Sequence, residues 1–331
     1  MRSMKGLRGK KGVMVIKVDL EKAYDRLSWS FIRETLIDVG LPNEMIGIIM
    51  KCIESASLSV MCNGSATQKF FPSRGIRQGD PSLPYIFVLC LEKLSQFISR
   101  EVEDGLWKPS TVSRNRLGIS HLCFVDDMML FAEVNTKQMD IILKCLNVFC
   151  EVSGQRINVA KIKILFSKNV STSLANSISR NNGFKVSKDL GKYLGVPLLH
   201  QRVTKQTYSY LLESLQKKLA GWKFNNLSLA DRITLCKSIF STMPLYPMQA
   251  AMLPKHTYNK IEKICRRFIW GHKKGRDKIL LVNWETLCKS KEEGGLGIRS
   301  METMNRAFIM KLAWGVLQEN SLWVKFLKAK I

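Results

Sequence analysis

At 331 residues the chain exceeds a typical single domain and has room for two or three subdomains. Hydrophobic residues make up 46%, which excludes general disorder, and no apolar run approaches the roughly 18 residues of a membrane span. The formal net charge of +25 repels itself unless an anionic partner is present.

In chain order, Val13 to Leu20 (VMVIKVDL) is a β-branched run that predicts a buried strand, with Asp19 near its C-terminal end. Ser28 to Val39 has helical spacing, with Phe31, Ile32, Leu36 and Ile37 on one face, and Gly40 and Pro42 stop it. Met45 to Ile53 predicts a second helix. Leu58 to Cys62 and Gln68 to Pro72 flank Asn63-Gly64, a strong hairpin signal. A Gly-rich turn, Gly75 to Asp80, leads into a helix from about Pro84 to Glu101. His121 to Val125 and Met128 to Phe131 read as strands joined by a tight turn at Asp126-Asp127. Thr136 to Val152 is helical, Arg156 to Phe166 alternates like a strand, and Lys192 to Leu199 reads as a short strand around Gly195. The order predicts an α+β fold, a sheet with helices on one face. Beyond residue 200 amphipathic helices dominate: Tyr208 to Trp222, Leu229 to Phe240, Tyr258 to Trp270 and Met301 to Leu317. Pro244, Pro247 and Pro254 mark a connection among them.

The chemistry concentrates in separated acidic motifs. Asp19 ends one apolar strand, and Asp126 and Asp127 sit between CF and MMLF. Carboxylates at neighbouring strand ends can converge on magnesium, which takes one or two carboxylates plus substrate phosphates. A bare Asp-Asp is more often a polar turn, but apolar flanks on both sides anchor this one. Asp25 reads as a cap or a partner for Arg26 or a nearby Lys, not as a metal ligand, and Tyr24 as a core ring or the floor of a sugar pocket.

In RGIRQGDPSLP, Gly75 and Gly79 let the backbone approach a ligand. Arg74 and Arg77 offer planar donors for phosphate, and Gln78 an amide for a base or sugar edge. The plain alternative is an ordinary loop before a helix, with Asp80 as its cap. Lys161 can place a cation near a leaving pyrophosphate, or stand solvated on a strand edge. From Lys255 to Lys278, the cations Lys263, Arg266, Arg267, Lys273 and Lys274 interleave with Tyr258, Phe268 and Trp270. That pattern suits a nucleic-acid backbone with exposed bases. It equally suits an amphipathic helix with a solvated basic face. The cations are spread along the whole chain and flank no hydrophobic span, so nucleic acid is the expected partner and a membrane is not. Nine cysteines without a C-x-x-C motif predict reduced thiols in a reducing compartment.

The ordered set VDLEKAYD, RGIRQGDPSLP, FVDDMMLFAE, SGQRINVAKIKILFS and YLGVPL resembles the reverse transcriptase of plant non-LTR (LINE-type) retrotransposons. RRFIWG and VNWETLCKSKEEGGLGIRSMETMNRAFIMKLAW resemble the region after the thumb in that group. The resemblance implies a right-hand polymerase palm over residues 1–200, a helical thumb over 201–260 and a basic post-thumb region over 261–331. It implies that the fingers are largely absent, along with the endonuclease of a parent polyprotein. Asp19, Asp126 and Asp127 would bind two magnesium ions, with manganese as a substitute, and Lys161 would serve the leaving pyrophosphate. Tyr24 would exclude ribonucleotides, while Arg77, Gln78 and Gly79 would shape the nucleotide and template pocket. Gly195 would lie in the turn that grips the primer end. The implied partners are an RNA template, a DNA primer or target, and deoxynucleoside triphosphates. The implied setting is the nucleus, although no import signal stands out.

Two departures from the family pattern are Val125 in place of Ala, and DPSLP in place of DPLSP. The altered DPSLP, the missing fingers and the charge of +25 leave an alternative beside RNA-directed DNA synthesis: a nucleic-acid-binding retroelement remnant without catalysis.

Overall fold

The computed structural model describes residues 12–77, 79–111, 118–198, 203–204, 206–220, 227–271 and 282–328. They fall into two compact units, Met1–Gly191 and Lys192–Ile331.

The first unit opens with β1 (Val13–Asp19), a four-residue α1 (Ala23–Arg26), α2 (Trp29–Asp38) and α3 (Asn43–Glu54). A small hairpin follows, β2 (Met61–Cys62) and β3 (Ser65–Ala66), closed by Asn63 and Gly64 at φ 49° and 83°. Two left-handed residues suit the right-handed twist of a hairpin, as the Asn-Gly pair predicts. Then come α4 (Leu83–Glu103), β4 (Ser110–Thr111), β5 (Gly118–Ile119), β6 (His121–Phe124), β7 (Asp127–Glu133) and α5 (Thr136–Ser153). A short 3-10 turn (Val159–Lys161), β8 (Lys163–Phe166), α6 (Thr172–Asn182) and β9 (Lys185–Val186) complete it.

Five strands form the main sheet in the order β6-β7-β1-β8-β9, antiparallel except for the parallel β8–β9 pair. Met14, Ile16 and Val18 of β1 join Met128, Leu130 and Ala132 of β7 in a core with Ile32, Met50, Leu94 and Ile142 from α2, α3, α4 and α5. Helices therefore line one face, as predicted. The two-residue period sends Val15, Lys17 and Asp19 to the other face, where exposure rises toward the Asp19 end.

Two expectations change. Residues 156–166 are not one strand, because the 3-10 turn at Val159–Lys161 interrupts them. Of the expected strand Lys192 to Leu199, residue 199 lies outside the described residues and the rest holds a hairpin, not a single strand: β10 (Lys192–Tyr193) pairs with β11 (Val196–Pro197). Leu194 and Gly195 form its turn at φ 50° and 76°, and a branched apolar residue at positive φ hides such a turn from sequence reading. The helix α6 was also not anticipated. Its sequence is nearly all polar and only Ala175 and Ile178 are buried, but Ser171 caps it and left-handed Gly183 ends it.

The second unit continues with α7 (Ser209–Ala220), α8 (Leu229–Thr242), α9 (Leu245–Ala250), α10 (Lys255–Trp270), α11 (Trp284–Cys288), α12 (Met301–Gln318) and α13 (Leu322–Lys328). Its core gathers Tyr208, Leu215, Cys236, Ile261, Cys265, Trp284 and Met301. A capping box starts α8, with Ser228 and Asp231 exchanging bonds of 3.2 and 3.0 Å. Asn305 of α12 is fully buried and saturated. Its Oδ1 accepts from the Leu253 N–H (2.8 Å) and the Tyr258 hydroxyl (2.5 Å). Its Nδ2 donates to the Met248 and Ala251 carbonyls at 2.7 and 3.0 Å. The cysteines carry free thiols; Cys90, Cys145, Cys236 and Cys265 are buried, and Cys52 and Cys62 are exposed.

Candidate active site

The acidic motifs meet through strand register. β1 and β7 pair antiparallel so that Asp19 faces Asp127. Paired positions project to the same side of a sheet, so both carboxylates lie on the face opposite the helices. Phe124 pairs with Asp127, which leaves Val125 and Asp126 as a two-residue turn. Val125 takes φ 52°. Positive φ at a β-branched residue stores roughly 1–3 kcal/mol and needs surroundings that hold it. Met128, Met129 and Leu130 supply that hold, being buried directly after the turn.

Two ammonium groups attend the carboxylates. Lys161 Nζ donates to Asp19 Oδ2 at 3.0 Å, and Lys17 Nζ lies 3.7 Å from Asp127 Oδ1. Lys161 therefore stands on the acidic centre at the end of the 3-10 turn and not on a strand edge. Lys17 went unnoticed in the sequence. The signal was there, since Lys17 stands two residues before Asp19 and must share its face.

Among the described residues no group of three or more His, Cys, Asp or Glu side chains is placed to hold a metal ion. What the strands bring together is an adjacent pair, Asp19 and Asp127, with Asp126 on the turn beside them. Hard oxygens in this number fit a magnesium ion that completes its shell with water and substrate phosphates.

Tyr24 sits on α1, tightly pinned. The Ile76 N–H donates to the Tyr24 carbonyl at 2.9 Å, and the Gly75 N–H to the Leu27 carbonyl at 2.7 Å. Trp29 Nε1 donates to the Gly75 carbonyl at 2.8 Å. The Tyr24 ring packs on Phe87 with centroids 4.7 Å apart and planes tilted by 33°. Burial, and then the charge of Asp126, raise the Tyr24 phenol above its ordinary value, so it stays protonated at neutral pH.

Gly75 is required here. Its φ is +83°, and an added Cβ would lie 2.6 Å from the Asp25 carbonyl oxygen. Gly75→Ala should destabilise the first unit by about 2 kcal/mol or more. Denaturant unfolding checks this, and an unchanged midpoint would contradict the pinning.

Arg77 and Arg74 line a cavity of about 580 Å³ with Asp25, Trp29 and Phe70. Gly79 is exposed at φ +99°. Gln78 lies outside the described residues. Asp80 caps the approach to α4, accepting from the Ser82 N–H (2.9 Å) and hydroxyl (2.7 Å), and those bonds lower its carboxyl. Ser82, the displaced Ser of DPSLP, has thus found a partner. Arg26 pairs with Glu21 at 3.4 Å and not with Asp25.

In the second unit, Lys263 and Arg267 are exposed on α10, whose other side buries Tyr258, Ile261, Cys265 and Phe268. Arg266 is half-buried with its guanidinium 5.8 Å from the Trp284 ring centroid. Lys273 and Lys274 lie outside the described residues.

The family "Reverse transcriptase (RNA-dependent DNA polymerase)" matches residues 1–198. A putative ribonuclease H protein of Arabidopsis thaliana is 40% identical over 136 residues, 41% of this chain and 22% of its own length. The Retrovirus-related Pol polyprotein from the type-2 retrotransposable element R2DM of Drosophila melanogaster is 21% identical over 96% of this chain and 30% of its own length. The corresponding polyprotein from the type-1 element R2 of Popillia japonica is 26% identical over 97% and 51%. The chain thus spans from about a fifth to about half of the curated relatives it matches. Among solved structures, Candida tropicalis telomerase with a TWJ fragment of telomeric RNA is similar at 15% identity and a TM-score of 0.42, covering 81% of this chain and 45% of that one. The family match over residues 1–198 takes in more than half of the chain, and the chain belongs to the reverse transcriptase (RNA-dependent DNA polymerase) family.

Proposed function

We propose that this chain carries the nucleotidyl-transfer site of a plant LINE-type reverse transcriptase, extending a DNA primer along an RNA template from deoxynucleoside triphosphates. The observation that supports it most is the register pair Asp19–Asp127 at the partly exposed end of the sheet face opposite the helices, with Asp126 on the adjoining turn. The 40% identity to an Arabidopsis thaliana protein supports the plant assignment. Residues 1–200 act as the palm, 201–260 as the thumb and 261–331 as a basic post-thumb region.

Asp19, Asp126 and Asp127 hold divalent cations, magnesium first and manganese as a substitute. Such ions, when bound, polarise the phosphate and stabilise the leaving oxygen. The primer 3′-hydroxyl attacks the α-phosphate in line: a P–O bond forms, the hydroxyl proton passes to water, and the bond to pyrophosphate breaks. Lys161, already against Asp19, offers its positive charge to the leaving pyrophosphate. The phenol of Tyr24, braced by Phe87, blocks a 2′-hydroxyl. Arg77, Gln78 and Gly79 frame nucleotide and template. Lys263, Arg266, Arg267, Lys273 and Lys274 meet the nucleic-acid backbone, whose binding falls steeply between about 50 and 200 mM salt.

Primer extension on an RNA template tests the reading. The chain should extend a DNA primer with magnesium, stop when a chelator removes it, and resume when it is restored. Absence of extension with either magnesium or manganese would overturn the proposal.

A further inference from the structure

The turn that carries Tyr24 is held from an unexpected direction. α1 has only four residues, so its carbonyls lack donors from a following turn. Segments distant in sequence supply them. Ile76 and Gly75 serve Tyr24 and Leu27 from one side. From the other side, Gln155 Nε2 donates to the Ala23 carbonyl at 2.7 Å, across 132 residues of sequence.

Gln155 belongs to a seam that stitches residues 153–158 onto residues 19–28. The Asn158 N–H donates to the Asp19 carbonyl (2.9 Å), the Glu21 N–H to Arg156 (2.8 Å) and the Ser28 N–H to Ser153 (2.9 Å). Those bonds are main-chain and indifferent to side-chain identity. Gln155 adds a side chain to the seam, 4% exposed. Its base is fixed: the Gln155 N–H donates to Ser153 Oγ at 3.2 Å, and Ser153 Oγ donates to the Phe149 carbonyl of α5 at 2.5 Å.

The second amide atom makes the point. Gln155 Oε1 is buried without a partner. An unsatisfied buried acceptor is destabilising, and an apolar side chain of the same shape would avoid it. A Gln here is explained by what its other end does, which is to donate to Ala23, the residue directly before Tyr24.

We propose that Gln155 is a positioning residue: its buried amide grips the Ala23 carbonyl, sets the Tyr24 ring against Phe87, and so tunes nucleotide selection. This rests on the polymerase reading above. Asp19 is held by main-chain bonds, so the effect should fall on nucleotide fit and spare the chemical step.

The test compares Gln155→Met, which keeps the shape and removes the donor, with Gln138→Met in the full chain. Gln138 is equally buried, donating to the Leu106 carbonyl and accepting from the Lys108 N–H, both at 2.7 Å. It is a control for the loss of a buried amide that does not touch α1. In Gln155→Met the KM for deoxynucleotides should rise about tenfold and discrimination against ribonucleotides should fall about tenfold, with kcat within about twofold. Gln138→Met should leave both ratios unchanged. Equal ratios in the parent and Gln155→Met would overturn the proposal.

A second readout needs no activity. With 3-fluorotyrosine placed at position 24, the parent should give one narrow fluorine resonance, and Gln155→Met should broaden or shift it. An unmoved line would overturn the positioning role even in a chain that extends no primer. A moved line without extension would uphold the positioning and sink only the polymerase reading. If Gln155→Met does not fold, Gln155→Asn, whose amide stops about 1.5 Å short, should move the line in the same direction.

Discussion

Asp127→Asn should lower primer extension by at least about 10³-fold while leaving the fold almost as stable as the parent. The asymmetry follows from the position of Asp127. It faces Asp19 across β1 and β7 at the open end of the sheet, and its side chain keeps about a third of its surface in water (32%). Asn has the same shape and stays in the strand, so the ladder survives. The ion pair that is lost, to Lys17 at 3.7 Å, is partly solvated. Pairs of that kind contribute about 0–1 kcal/mol, equivalent to a fall of less than about 4 °C in a unit of this size.

The chemistry has no such cushion, because a carboxylate that neutralises developing charge cannot be replaced by a neutral amide. Asp126→Asn should fall by a similar factor. The double variant should be little worse than either single one, because residues that act as a unit are not additive. The measurement is single-turnover extension beside thermal unfolding. Activity retained within tenfold in Asp127→Asn would remove Asp127 from the centre. A collapse of the melting transition would mean that the residue serves the fold instead.

Why these carboxylates were legible, and their surroundings less so, is a matter of range. The run VMVIKVD alternates along a strand, and the apolar flanks of Asp126-Asp127 mark a hairpin, so the acidic ends can be read from local pattern. The Asn63-Gly64 turn is legible because its backbone demand selects its residues. The Leu194-Gly195 turn makes the same demand at φ 50° with a residue that does not advertise it, and it was read as a strand. Lys17 was legible and overlooked. Gln155 was not legible: a Gln in SGQRIN looks solvated, and only the folded chain brings it to Ala23. The same holds for Asn305, a polar residue in the middle of METMNRAFIM with every hydrogen bond made to residues about 50 positions earlier.

That buried amide carries the largest stability prediction. Asn305→Ala should destabilise the second unit by about 3–5 kcal/mol. The substitution leaves the Leu253 N–H and the carbonyls of Met248 and Ala251 without the Asn305 amide, and the Tyr258 hydroxyl with only Met252 Sδ at 3.6 Å, around a side chain of zero exposure. Each orphaned group costs about 1–3 kcal/mol, and local relaxation recovers part of the sum. Because the chain has two units, a single melting temperature is a poor measure. Amide hydrogen exchange resolved over residues 248–258 is the better one, and protection there should fall by at least about 10²-fold if it reports opening of the whole unit.

Asn305→Asp separates the amide from mere bulk. It keeps the acceptor for Leu253 and Tyr258 but loses the donors to Met248 and Ala251, and it buries a carboxylate. Burial raises such a carboxyl in the folded state, so the folded form binds the proton that the unfolded form releases. The variant should therefore be most stable at low pH and lose stability as pH rises above the ordinary Asp value of about 3.9, the loss levelling off only above the raised folded value. A pH-independent exchange rate difference in Asn305→Asp, or unchanged protection in Asn305→Ala, would mean that α9, α10 and α12 are held by their apolar contacts alone.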